Sequence, residues 1–436
     1  MAITKAHPCR YYAFLSVLSL ILTSHSVNSF TGIHRLPQQQ IARIIHHDLK
    51  RAVVRSSLRM SVAGRFDNSN EQMQIRPEWA LKWMPTWLVT MQPRYQLVVV
   101  LAFYVFHIKV LCQKCIAFPF QLIPNNQGFF QSIGLDSVAG MLSLLAYYCF
   151  KKQSTATDAS LPSLLKPPTP IEAPWRFKDK AIATTKLSSV LAFFTLIQGY
   201  FVTGRFSLFW EDIFYAAAGV GFPLTIPMHR SLVVLMGHLT WVTMGGLILS
   251  LIARPQPFFG GGYKERSNGE KTFLKFRWFT NTWQTYWVWW VLGGYFVSSW
   301  FFNIADWVTQ MVLPPELFDT VADSVVSQLT NPENNDFFAS VIGAIAPCLS
   351  APWWEEVLYR GYLLPALRCF MPFWPSVFLS GNIFSLTHMS TTGTIPLAVL
   401  GWTWAALYAK CGNLFVTILI HCLWNSRVFL ASWFGL

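Results

Sequence analysis

The stretch APWWEEVLYRGYLLPALRCF, residues 351–370, sets two adjacent carboxylates and an arginine in otherwise apolar, aromatic sequence. A charged side chain at the centre of a bilayer costs roughly 2.5–3.5 kcal/mol on insertion scales, so Glu355, Glu356 and Arg360 need compensating partners. On a helix, residues four apart share a face while neighbours diverge by about 100°. Glu356 and Arg360 therefore read as an ion pair along one face. Glu355 points elsewhere and is presented to a cavity, where apolar neighbours such as Trp353 and Trp354 suit a general base. The competing reading is a helix-end ion-pair cluster at headgroup level.

Two further polar pairs follow at equal intervals. Thirty-three residues beyond Glu355, NIFSLTHMS places His388 one turn after Phe384. Another thirty-three residues on, FVTILIHCLWNSRVFL places Asn425 one turn after His421. That interval equals one short helix, a turn and the next helix, so successive helices bring these groups to a common depth. A lone histidine in an apolar helix is more often a satisfied interhelical hydrogen bond than a ligand. Polar groups on three separate helices, however, are expected to face a cavity and one another.

The elements that position them belong to a polytopic α-helical membrane protein. The 436 residues are 53% hydrophobic and 16% aromatic, with only 12% charged, whereas a soluble domain is about a quarter charged. Many of the 20 tryptophans flank apolar runs, as in the aromatic belts of membrane interfaces. No segment shows the alternation of a membrane β-barrel. Apolar segments occur near 95–111, 137–150, 187–203, 209–227, 231–252, 281–303 and 337–350. Four more lie near 353–370, 374–389, 394–410 and 413–431. The fold class expected is all-α, a bundle of roughly 7–10 membrane helices, with a catalytic membrane domain over 336–431 and N-terminal membrane helices over 67–335. FPLTIPMHR, with Pro223 and Pro227, reads as a break that makes 209–227 re-entrant. Basic loops at 151–186 and 253–280 then share the stromal or cytosolic side. Residues 304–330 read as one amphipathic interfacial helix.

EEVLYR, FSLTH and HCLWN fit, in order, the EExxxR, FxxxH and HxxxN motifs of the CAAX-prenyl-protease and bacteriocin-processing family, which includes lysostaphin-resistance-protein-A-like members. The chain resembles that family over about 337–431. The resemblance implies a membrane-embedded endopeptidase that, in prenyl-processing members, removes the last three residues after a lipidated cysteine. It further implies that Glu355 and His388 activate the attacking water. His421 and Asn425 would complete the polar cluster and could form an oxyanion site, while Glu356 and Arg360 hold the first helix. Glu355, His388 and His421 would also serve as a zinc-type set with an open fourth position. There is no HExxH to put two histidine ligands and a base on one helix. The residues leave both chemistries open, and a metal-free glutamate mechanism is the one preferred. A non-catalytic membrane partner of the same family is the alternative function. A transporter is disfavoured because the N-terminal half carries no matching broken helices.

The expected partners are the lipid bilayer and a peptide or prenylated protein, not nucleic acid. Much of the net charge of +13 lies in residues 1–66, where nine Lys or Arg face one acid, Asp48. Residues 1–29 have the basic, apolar and small-residue regions of a signal peptide, and residues 30–66 the Arg-rich, acid-poor make-up of a transit peptide. Joined through SVNSF, they resemble the bipartite presequences of plastids acquired by secondary endosymbiosis. The expected location is a plastid membrane of such an alga, with the endoplasmic reticulum as the alternative if residues 10–24 are a retained anchor. Cys112 and Cys115 form a CxxC read as packing rather than a redox or metal pair. His229 and Arg230 read as an interfacial pair, and Glu211 and Asp212 as solvated interfacial acids.

Overall fold

In the computed structural model, residues 93–117, 132–154, 188, 192, 195–252, 287–314, 316–319, 325–330, 336–368 and 370–435 are described. The signal and transit segments lie outside the described residues, as do residues 155–186 and 253–280 of the two basic loops.

The long elements are helical. They are α1 (Pro93–Phe106, continued by a π-helical turn His107–Leu111), α2 (Leu135–Ser154), α3 (Arg205–Gly219), α4 (Ile226–Ile252) and α5 (Trp287–Val312). They continue with α6 (Phe337–Leu367), α7 (Phe373–Leu386), α8 (Thr394–Cys411) and α9 (Leu414–Phe434). A two-stranded antiparallel pair, β1 (Cys115–Ala117) with β2 (Ser132–Gly134), joins α1 to α2 with Cys115 opposite Gly134. Among the described residues three helices are long and apolar enough to cross a membrane, over Ile226–Leu249, Phe337–Leu367 and Leu414–Phe434. Shorter apolar helices span Tyr95–Leu111 and Leu135–Cys149. The all-α expectation holds, and the protein is a helical membrane protein.

Two expected boundaries are corrected. The segments 337–350 and 353–370 form one helix, α6. Pro347 and Pro352 lack the N–H that an uninterrupted α-ladder requires, and the chain accommodates Pro347 in a π-helical turn, Ala346–Ser350, instead of breaking. The break expected in 209–227 is present: α3 ends at Gly219, an irregular link holds Pro223, and α4 starts with Pro227 in its first turn. Proline is accepted there because first-turn N–H groups have no intrahelical partner. The expected interfacial helix 304–330 is not continuous. Residues 304–312 complete α5, Pro314 follows, and two short turns lie at Glu316–Asp319 and Val325–Thr330.

Local sequence sets the ends of the site helices. Asp336 accepts from the Ala339 N–H to cap α6, and Asn413 accepts from the Phe415 N–H to cap α9, each satisfying a donor the helix leaves open. Between α8 and α9, Gly412 adopts φ +62°, where a side chain would be strained. Tertiary packing does the rest. α2, α8 and α9 pack on α5, α4 packs on α3 and on the first part of α6, and α7 lies along α8. The α7–α8 crossing is so close that a Cβ on Gly381 or Gly401 would strike the opposite backbone. The core shared by α6 to α9 includes Trp354, Val357, Leu364, Phe384, Leu400, Trp404 and Ile420, all nearly inaccessible.

Candidate functional site

The four helices α6 to α9 enclose one polar cluster. Glu356 is fully buried and its Oε1 pairs with Arg360 Nη1 at 3.0 Å, four residues on, as the helical spacing predicts. The Arg360 guanidinium lies over the rings of Phe384 (4.6 Å), Trp404 (5.3 Å) and Tyr359 (5.9 Å), and its Nη2 donates to the Gly401 carbonyl at 3.4 Å. Desolvated cation–π contacts of this kind are worth about 2 kcal/mol or more. Together they compensate a charge pair that burial alone would penalise.

The same Glu356 oxygen also lies 3.1 Å from His421 Nδ1. Glu356 ion-paired to arginine is an acceptor, so His421 carries a proton on Nδ1 and turns Nε2 away from Glu356. That Nε2 is 3.8 Å from Glu355 Oε2. His388 is held the same way: Nδ1 lies 2.9 Å from the Phe384 carbonyl, which can only accept. Its Nε2 is 4.0 Å from the same Glu355 oxygen. Two imidazoles, each held through Nδ1, thus bring Nε2 to one carboxylate oxygen. Glu355 makes no hydrogen bond within the described residues, and these two nitrogens are its polar contacts there. His421 is buried, while the His388 side chain remains 32% accessible.

The expected site residues converge with one difference. Glu355, Glu356, Arg360, His388 and His421 form a contact network, and Phe384 packs edge-on against both histidine rings at 4.8 and 6.0 Å. The Asn425 Nδ2, by contrast, donates to the Pro347 carbonyl at 2.8 Å.

Sequence reading missed several members. Trp404 packs on His421 at 4.4 Å and donates from Nε1 to Ser298 Oγ on α5 at 2.9 Å. It lies in GWTW on α8, between two motifs, and nothing in its spacing marks it. Tyr359 shares a 2.8 Å hydrogen bond with Thr387, tying α6 to the turn that carries His388. Its place beside Arg360 in EEVLYR was the available signal. His238 on α4 packs edge-on to Phe201 and Trp241, and Trp241 in turn meets Trp354.

The remaining candidates lie elsewhere. Cys112 and Cys115 are exposed free thiols, and Cys112 donates to its own helix at Ile108. His229 packs on Tyr215 at 4.7 Å, and Glu211 and Asp212 sit on α3. For a metal, the donor chemistry of Glu355, His388 and His421 suits zinc. Their spacing does not close on an ion: among the described residues no group of three His, Cys, Asp or Glu is disposed to hold one.

A carboxylate facing two imidazoles inside an apolar helical bundle defines the class, a helical membrane protein with a polar cluster among its C-terminal helices. Residues 337–427 match the family model described as type II CAAX prenyl endopeptidase Rce1-like, so this segment is similar to a CAAX-type membrane protease family. The match takes in all three motifs. No curated protein and no solved structure matches the chain.

Proposed function

We propose that the chain is an intramembrane endopeptidase that hydrolyses a peptide bond of a membrane-associated or prenylated substrate through a water activated by Glu355 and the histidines. The observation that carries this reading is the convergence of His388 Nε2 and His421 Nε2 on Glu355 Oε2, at 4.0 and 3.8 Å. With both rings neutral, three acceptors face one another and call for a proton donor among them, and water is the donor that hydrolysis consumes.

In this scheme water donates one hydrogen bond to Glu355 and one to His388. Its oxygen bonds to the scissile carbonyl carbon as Glu355 takes its proton and the C=O π pair moves onto the carbonyl oxygen. His421 Nε2 accepts a hydrogen bond from the resulting carboxylic acid. The oxygen's electron pair then re-forms the C=O bond as the carbon–nitrogen bond breaks, and the leaving amine takes the proton back from Glu355. Glu356 stands behind His421 as a carboxylate stands behind the histidine of a hydrolytic triad, fixing the tautomer and stabilising any positive charge on the ring. The low-dielectric surroundings strengthen each of these interactions.

The proposed setting is a plastid membrane, with the endoplasmic reticulum as the alternative. Purified protein in detergent, offered a farnesylated CAAX peptide, tests the reading, with Glu355→Ala as the control and a chelator as a third arm. Cleavage by wild type that is lost in the variant supports it. A folded wild type that cleaves neither this peptide nor unprenylated membrane peptides overturns it in favour of a non-catalytic partner.

A further inference from the structure

The HxxxN spacing on α9 places His421 and Asn425 side by side, yet the two side chains do different work. His421 faces Glu356 and Glu355, whereas Asn425 reaches the backbone of α6 at Pro347. The order of contacts, 421 with 356 and 425 with 347, makes α9 antiparallel to α6 along the site.

Pro347 lies in the π-helical turn Ala346–Ser350, whose register sets an N–H against the carbonyl five residues before it. The Ala351 N–H goes to the Ala346 carbonyl. The next donor in that register belongs to residue 352, which is a proline and has none. An α-type bond to the Pro347 carbonyl would need the Ala351 N–H, which is already used. This carbonyl is therefore left without a backbone donor by the sequence itself, inside a helix whose flanking residues Ala346, Cys348, Ala351 and Pro352 are buried. Pro347 itself is half-buried, and a carbonyl withdrawn from water without a partner is costly. The Asn425 amide supplies the missing bond at 2.8 Å. The turn so secured leads directly into Trp354 and Glu355.

We propose that Asn425 is a positioning residue whose amide stands in for the N–H that Pro352 lacks, setting the turn of α6 that presents Glu355 to the two histidines. This rests on the endopeptidase reading for its activity readout, but not for its structural one. It differs from the oxyanion role that the family resemblance implies for Asn425. An oxyanion donor must reach the reacting carbonyl, whereas this amide is engaged with α6 about two helical turns before Glu355.

The test uses full-length protein in detergent and a proline that can be replaced by a residue with an N–H. Asn425→Ala should lower both the thermal midpoint and kcat, the latter by about tenfold. Pro352→Ala alone should stay near wild type. The double variant Asn425→Ala with Pro352→Ala should recover most of both losses, because the alanine that replaces Pro352 supplies the donor from its backbone. If the double variant regains the wild-type midpoint while kcat stays at the Asn425→Ala level, Asn425 acts on the substrate and the proposal is overturned. It is equally overturned if Asn425→Ala leaves the midpoint unchanged. If wild type cleaves nothing, the endopeptidase reading fails, and the midpoint series still decides the cap.

Discussion

His421 is bound to Glu356 through Nδ1 at 3.1 Å and thereby aims Nε2 at the neighbouring Glu355, 3.8 Å away. One imidazole separates the two carboxylates and gives them different tasks. Glu356 is held by Arg360 and the ring; Glu355 is left able to accept a proton.

Glu355→Gln keeps the size of the side chain but cannot take a proton. Cleavage should fall by about 10²–10⁴-fold, the usual contribution of general-base catalysis, with the thermal midpoint little changed. A Gln variant that cleaves like wild type would remove Glu355 from the chemistry.

Glu356→Ala leaves Arg360 buried without its counter-charge, at a cost of about 3–5 kcal/mol. Folded yield and thermal midpoint should drop sharply. Arg360→Ala should do the same, since it strands Glu356. Arg360→Lys should rescue poorly, because an ammonium cannot lie flat against Phe384 and Trp404 while also reaching Glu356 and Gly401.

His388→Ala should act on rate more than on folding, since its side chain is 32% accessible. The expected result is a loss of kcat comparable with that of Glu355→Gln and a midpoint close to wild type. A large fall in midpoint would recast His388 as a packing residue.

Gly401→Ala inserts a methyl group against the backbone of Gly381. Separating α7 from α8 should cost about 1–3 kcal/mol. It should also draw the Gly401 carbonyl from Arg360, so midpoint and cleavage fall together. Gly381→Ala should behave alike.

Exhaustive chelation should leave cleavage intact. Activity lost on chelation and restored by zinc would show that Glu355, His388 and His421 close around an ion.

The helical membrane class was legible in composition, because a bilayer demands long apolar helices whatever their order in space. The site was legible in part for a related reason. Charged and polar groups in apolar helices must find one another, so EEVLYR, FSLTH and HCLWN implied a cluster before any geometry was known. Helical periodicity alone paired Glu356 with Arg360 and separated Glu355 from both. What periodicity cannot carry is contact between helices distant in sequence. That Glu356 would also hold His421, that Trp404 would cover the ring, and that Gly401 would offer its carbonyl all depend on how α6, α8 and α9 cross. The fate of Asn425 is the clearest case. Its spacing from His421 put both on one face of α9, but α6 alone decided what lies opposite each. There, two prolines five residues apart widen the helix and free the carbonyl that Asn425 takes.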